Sequence, residues 1–219
     1  AFRRLLKAPF VTAVAVLSLA LGIGANGAIL SLFNQTLVQA LPVADRGRLA
    51  SLAAPGPKPG SQSCGQAGDC DAVFSYMMFR DLERLQTSFT GIAAHVSFGA
   101  NLAYRGQTMS GDGMQVSGSY FPPLGVQPVP GRLLDVNDDR SPGTHFVTVL
   151  SYQYWTNRLG GDPAVLNETI VINGQSFTVV GVSARDFKGT VLGVEPEIFV
   201  PPSMREVASP GWKGFDNRQ

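Results

Sequence analysis

The polarity of this chain changes once, abruptly. From Phe10 to Phe33 runs FVTAVAVLSLALGIGANGAILSLF, with no charge and nothing more polar than Thr12, Ser18, Asn26 and Ser31. At about 1.5 Å per residue such a helix reaches about 36 Å, enough to cross a hydrocarbon core of about 30 Å with some tilt. Pro9 stands just before it, where a missing N–H costs a helix nothing. A cleaved signal peptide has a shorter apolar core and ends in an A-x-A-like site. This run has neither property, and the pattern predicts a transmembrane helix over 10–33.

Beyond it the pattern is that of a folded domain with short elements. Arg48-Leu-Ala-Ser-Leu52 alternates and predicts a strand; Ala54 to Asp71 is a Pro/Gly/Ser-rich loop. Phe74, Met78, Leu82, Leu85 and Phe89 recur at helical spacing, predicting an amphipathic helix over 76–88 capped by Ser75. That stripe is expected to be its core face. Residues 92–120 alternate loosely between glycines and suggest three short strands, 93–98, 101–104 and 108–117, with Arg105-Gly106 turning between the last two. Ser119 to Gly125 reads as a turn or a single helical turn, and Pro128 to Asp139 as a loop.

The strongest local signals begin at Phe146. Phe146-Val-Thr-Val-Leu150 predicts a buried strand, Ser151 caps a helix carrying Tyr152, Trp155 and Leu159, and Gly160-Gly161 ends it. Asp162-Pro163 makes a turn. Glu168–Ile172 and Ser176–Val182 meet across Asn173-Gly174, the pair favoured in two-residue type I′ hairpins because both residues need positive φ. This register sets Ile170 opposite Phe177. Glu197–Val200 is a last strand, stopped by Pro201-Pro202. The expected fold class is α+β: one N-terminal transmembrane helix, then a mixed α/β domain.

Charge orients the helix. Arg3, Arg4 and Lys7 precede it and the first charge after it is Asp45, so the positive-inside rule puts the N-terminus in the cytoplasm and the domain outside. The formal net charge of +1 rests on those three basic residues; the rest of the chain carries fourteen basic against sixteen acidic side chains. So balanced a domain argues against nucleic acid, which needs a clustered basic face. Within the helix, Ala20, Gly24 and Ala28 form a small-residue stripe, with Gly27 and Ser31 beside it, a face that lets another helix approach. Cys64 and Cys70 sit in a polar, Gly-rich loop, where an extracytoplasmic position permits a disulfide. Two free thiols are the alternative, and no further ligand-type residue nearby suggests a metal. The chain starts at Ala1 without Met and ends at Asn217-Arg218-Gln219, which reads as a fragment of a longer protein.

Catalytic motifs do not survive inspection. Gly22-Ile-Gly24-Ala-Asn-Gly27 matches G-x-G-x-x-G but lies inside the apolar run, without the preceding strand a dinucleotide needs. Asp135-Val-Asn137-Asp-Asp139 starts like a calcium loop but has Arg140 where Gly is required and Phe146 where Glu should bind, leaving a solvated acidic turn. His95 and His145 lack partners at ligand spacing, and Asp112, Asp186 and Glu195 are isolated. No P-loop occurs. No catalytic residue, cofactor or metal is expected.

Several stretches together carry a family resemblance. RRLLKAPFVTAVAVLSLALGIGANGAILSLFN with LPVADRGRL, then FSYMMFRDLERL, VSGSYFPPLGVQPVPGRLL, VTVLSYQYWTNRLGGDPAVLNETIVINGQSFTVVGV, and ARDFKGT before EIFVP occur in that order. The chain resembles the first membrane helix and periplasmic core domain of MacB/FtsX-type ABC transporter permeases, most nearly the duplicated orphan permeases. The resemblance implies two small α/β lobes: a cytoplasmic N-terminus over 1–9, the membrane helix over 10–33, an incomplete porter-like lobe over 34–145, a second lobe over 146–200 and a truncated return segment over 201–219. It further implies a bacterial inner-membrane permease subunit with a separate cytoplasmic ABC ATPase, a homodimeric or paired permease, and a periplasmic adaptor as a further candidate partner. An FtsX-like regulator that switches an envelope enzyme, contacting it through Ala54–Asp71 or Phe121-Pro-Pro-Leu124, is the alternative, followed by a single-pass sensor. The Cys64–Cys70 loop is not part of the family pattern.

Overall fold

The computed structural model describes residues 9–33, 43, 46–56, 70–191 and 193–209. The chain forms two compact units, Ala1–Leu41 and Pro42–Gln219. In the first, α1 (Pro9–Phe33) is one continuous helix. Its length and composition, over Thr12–Ser31, suffice to cross a membrane. From Ala13 to Ser31 every described side chain is exposed, as expected of a helix whose apolar residues surround it on all sides.

In the second unit, the described strands close into a barrel of order β1-β2-β6-β3-β5-β4. These are β1 (His95–Tyr104), β2 (Gln107–Val116), β3 (Val147–Leu150), β4 (Thr169–Ile172), β5 (Gln175–Val182) and β6 (Ile198–Val200). Helices α2 (Tyr76–Leu85), α3 (Phe121–Leu124), α4 (Tyr152–Leu159) and α5 (Arg205–Ala208) lie between and around them in sequence. Two tight hairpins set the registers. Arg105 and Gly106, at φ 46° and 80°, join β1 to β2, and Asn173 and Gly174, at φ 49° and 84°, join β4 to β5 with Ile170 opposite Phe177. The non-local pairs close the ring: β6 runs parallel to β2 and antiparallel to β3, β3 runs parallel to β5, and β1 meets β4.

The barrel is filled by Leu102, Leu150, Ile170, Ile172, Phe177, Val179, Ile198 and Val200, all buried. At one side Tyr120, Phe121, Phe187 and Phe199 pack ring against ring, with centroids 5.2 to 6.2 Å apart. Phe98 lies directly opposite Gly113, and its ring fills the space where a Cβ on Gly113 would stand. A glycine in a strand interior is thereby covered by an aromatic neighbour rather than left as a weak point.

Four expectations change. Residues 93–98 and 101–104 belong to one strand, because Gly99 is held extended in the ladder opposite Asp112 instead of breaking it. Residues 49–52 form no strand; Arg46–Arg48 is a single 3-10 turn, and the alternation after it finds no partner strand among the described residues. The acidic turn is not simply solvated, since Asp138 and Asp139 are buried. The strands of 34–145 and 146–200 share one closed sheet, so residue 145 divides the sequence but not the barrel. The capped helix α4, its end at Gly160 and the Asp162 turn stand as the sequence predicts.

Candidate functional site

Helix α2 is where the amphipathic pattern and the fold part company. Ser75 caps it, its hydroxyl accepting from the Met78 N–H at 3.3 Å. Phe79 is its one buried residue, whereas Met78, Leu82, Leu85 and Phe89 are 40, 37, 69 and 46% exposed. The stripe expected in the core faces outward. What turns the helix is polar. The Tyr76 hydroxyl donates to Asp139 Oδ1 at 3.0 Å, and one turn on, Arg80 lies 4.0 Å from Asp139 Oδ2 while pairing with Glu83 at 2.8 Å. Seating Tyr76, Phe79 and Arg80 inward satisfies a carboxylate that would otherwise be buried alone, at several kcal/mol.

Asp139 is the hub of this arrangement. Its Oδ1 also accepts from the Ser203 N–H at 3.1 Å, and its Oδ2 from the Gly118 N–H at 3.5 Å. One side chain thus ties α2 to the turn after β2 and to the 3-10 turn Pro202–Met204 that follows β6. Burial pushes its pKa up, opposed by those hydrogen bonds and by Arg80. Its neighbour Asp138 goes the other way: burial would raise it, but the Arg132 fork, the Asp135 N–H and the Arg132 charge outweigh that and hold it below the usual carboxylate value. The cluster of acidic residues dismissed as a calcium site is a pair of structural anchors instead. Their sequence signal, two adjacent acids after an apolar stretch, does not distinguish anchors from a surface turn.

The other expected positions are placed as follows. Ala20, Gly24, Gly27, Ala28 and Ser31 all lie exposed on α1, and among the described residues nothing beyond the local helix backbone lies within 4 Å of where a Cβ on Gly24 or Gly27 would stand. Arg3, Arg4, Lys7 and Cys64 lie outside the described residues, as does the Cys70 side chain; Cys70 begins the 3-10 turn Cys70–Ala72. Of the two proposed regulator contacts, 57–69 is likewise outside them, and in Phe121-Pro-Pro-Leu124 both Phe121 and Leu124 are buried while Pro122 and Pro123 are exposed. His95 packs edge-on to Tyr120 at 5.9 Å, and burial lowers its pKa. Glu195 pairs with Lys188 at 2.7 Å. Among the described residues no group of His, Cys, Asp or Glu is placed to hold a metal ion.

Comparison with known proteins agrees with this architecture. The periplasmic region of MacB from Actinobacillus actinomycetemcomitans superposes with a TM-score of 0.52 at 17% identity, covering 69% of this chain and 67% of that one. The extracellular domain of the noncanonic ABC-type transporter YknZ from Gram-positive bacteria gives 0.48 at 15% identity, over 62% of this chain and 66% of that one. The chain thus spans about two thirds of the length of each. Among curated proteins, none matches the sequence. The family description of the MacB-like periplasmic core domain matches residues 12–217, helix and barrel together, and the chain belongs to that family.

Proposed function

We propose that the chain is the first membrane helix and outer domain of a permease subunit in an ABC-type export or mechanotransmission system. The observation that supports this most directly is the extent of the family match. It begins at residue 12, inside α1, and runs through the barrel, so helix and domain form one family unit rather than a leader joined to a domain. In this reading α1 spans a bacterial inner membrane with its N-terminus in the cytoplasm and the barrel in the periplasm. A separate cytoplasmic ATPase burns the nucleotide, and the permease works as a homodimer or pair, with a periplasmic adaptor as a further partner. The domain moves under that drive and does no covalent chemistry of its own.

The small-residue face of α1 is assigned to helix packing. Because a Cβ on Gly24 would meet no described residue beyond its own helix backbone, a loss caused by a Leu there is expected to report on a partner helix. Gly24→Leu is expected to lower the oligomeric fraction in membranes while leaving the barrel's melting unchanged; unchanged oligomerisation removes the assignment. The coupling itself is tested with the full-length protein purified from native membranes and spin-labelled at the exposed Leu85. Co-purification of an ABC ATPase, and an ATP-dependent change in the distance between labels on paired copies, are the expected results. Failure of both would overturn the permease reading.

A further inference from the structure

Beside α4 lies a cavity of about 150 Å³, lined in part by Tyr154, Arg158, Lys188, Glu195 and Glu197. At about 30 Å³ for each water it holds about five, the room of a small organic molecule. Its charges are arranged unusually. Lys188 and Glu195 pair at 2.7 Å, which neutralises both. Arg158 and Glu197 do not pair. Arg158 has no hydrogen bond or ion pair among the described residues, yet it lies near enough to Glu197 to favour that carboxylate's charged form.

Glu197 is pinned to the wall, its Oε2 accepting from the Asp112 N–H at 2.6 Å. That seat exists because residue 111 is glycine: a Cβ there would stand 2.5 Å from the carboxylate. Burial pushes the Glu197 pKa up, with the Asp112 charge adding to it, against backbone hydrogen bonds from Asp112 and Glu197 and the charge of Arg158. Arg158 sits in the last turn of α4, which Gly160 ends. Tyr154 adds a third group. It is 5% exposed, its ring belongs to the barrel core, and its hydroxyl has no hydrogen-bond partner among the described residues. Tyr154 also lines the cavity.

An unpaired cation and a carboxylate lining one cavity, with Tyr154 beside them, match a molecule carrying both charges. We propose that this cavity binds a short zwitterion, an ammonium and a carboxylate or phosphate a few bonds apart. The ammonium meets Glu197, and the anionic end meets Arg158 and the Tyr154 hydroxyl. Neither charged group has to leave an ion-pair partner among the described residues to receive the ligand. The free α-amino acids and the phosphoethanolamine headgroup share this chemistry. The inference does not depend on the transport reading and would stand in a regulator or a sensor.

The test is a titration of the full chain, nitrogen-15-labelled in detergent micelles, followed through the amides of Asn157 and Arg158. The probes are glycine, O-phosphoethanolamine, acetate and methylammonium. Saturable shifts are expected with a zwitterion, about tenfold tighter than with either half-molecule, and whichever zwitterion is tighter names the source. Tyr154→Phe and Arg158→Gln, chosen because the first keeps the buried ring and the second is exposed, should each weaken binding about fivefold without shifting the barrel's melting temperature. Glu197→Gln should bring glycine down to the affinity of acetate. No saturation below about 50 mM, equal binding of a half-molecule, or unchanged binding in Arg158→Gln would overturn the proposal.

Discussion

Asn173 offers the sharpest test of how the barrel closes. The seam between β1 and β4 pairs only Leu102 with Ile172 and Ala103 with Val171, a short ladder for closing a sheet. Asn173 extends it by side chain. Its Oδ1 accepts from the Asn101 N–H at 2.8 Å, and its Nδ2 donates to the Gly99 carbonyl at 3.0 Å and to the Ala208 carbonyl. Asn173→Gly keeps the positive φ the turn requires and deletes all three. At about 0.5–1.5 kcal/mol net per bond, with water replacing part of the two exposed ones, the loss is about 2 kcal/mol. Extra backbone freedom in the unfolded chain adds about 0.5 kcal/mol. Asn173→Ala deletes the same bonds and leaves at φ 49° a side chain without the local hydrogen bonding that lets Asn tolerate the left-handed region, for about 1 kcal/mol more. Denaturant unfolding of the chain in micelles, followed by tryptophan fluorescence, measures the order, and hydrogen exchange at the Asn101 amide localises it. If Asn173→Gly lies within about 0.5 kcal/mol of the parent, or Asn173→Ala is no worse than Asn173→Gly, the seam argument fails.

Three further outcomes follow from the same geometry. Gly181→Ala puts a Cβ 2.0 Å from the Arg132 carbonyl oxygen, a backbone atom fixed by the Gly131–Gly181 bridge, and should cost about 3 kcal/mol; a loss below about 1 kcal/mol in a thermal melt would sink the claim. Phe79→Ala should destabilise by about 3 kcal/mol while Leu85→Asp stays within about 0.5 kcal/mol, and the reverse order would restore the core reading of the α2 stripe. Asp138 and Asp139 give opposite pH dependences. The depressed pKa of Asp138 contributes stability above its ordinary value near 3.8 that is lost as the pH falls through the lower folded value. The raised pKa of Asp139 contributes stability present below 3.8 that is lost as the pH rises through the higher folded value. Asp139→Asn should therefore fare better against the parent at pH 7 than at about pH 3, and a gap independent of pH would refute this assignment.

What could be read from the residues was what is decided over a few positions. Asn173-Gly174 and Arg105-Gly106 demand positive φ, and the Ser151 and Asp162 caps serve N–H groups two or three residues away, so the hairpins and α4 were legible. The apolar run of α1 was legible because a hydrocarbon thickness is a length. Barrel closure was not: β6 is three residues long and finds β2 and β3 across gaps that no local signal spans. The orientation of α2 was hidden for a sharper reason. Its apolar stripe is real, but a carboxylate sixty-three residues away from Tyr76 decides which side turns inward. The zwitterion cavity was equally hidden, since Tyr154 and Arg158 stand one turn apart on α4 while Glu197, just before β6, is some forty residues further on.

The Asp139 anchor bears on how such a domain can carry a force. An α2 held only by Phe79 could rock on the barrel, because apolar contacts constrain direction weakly. A carboxylate receiving donors from α2, from the turn after β2 and from the turn after β6 fixes three chain segments at one point. Displacing the first turn of α2 then removes a donor from a fully buried carboxylate. The helix is therefore expected to move with the barrel as one body and to present its apolar stripe in a constant orientation. Tyr76→Phe separates this from simple packing, since it keeps the ring 6.3 Å from Phe79 and removes only the donor. Hydrogen exchange in Tyr76–Leu85 should speed by about tenfold, a local opening about 1.4 kcal/mol easier, while the strand amides of the barrel keep their protection. Uniform loss across helix and strands would mean that Asp139 merely stabilises the fold, and no change at all would mean that Phe79 alone holds the helix.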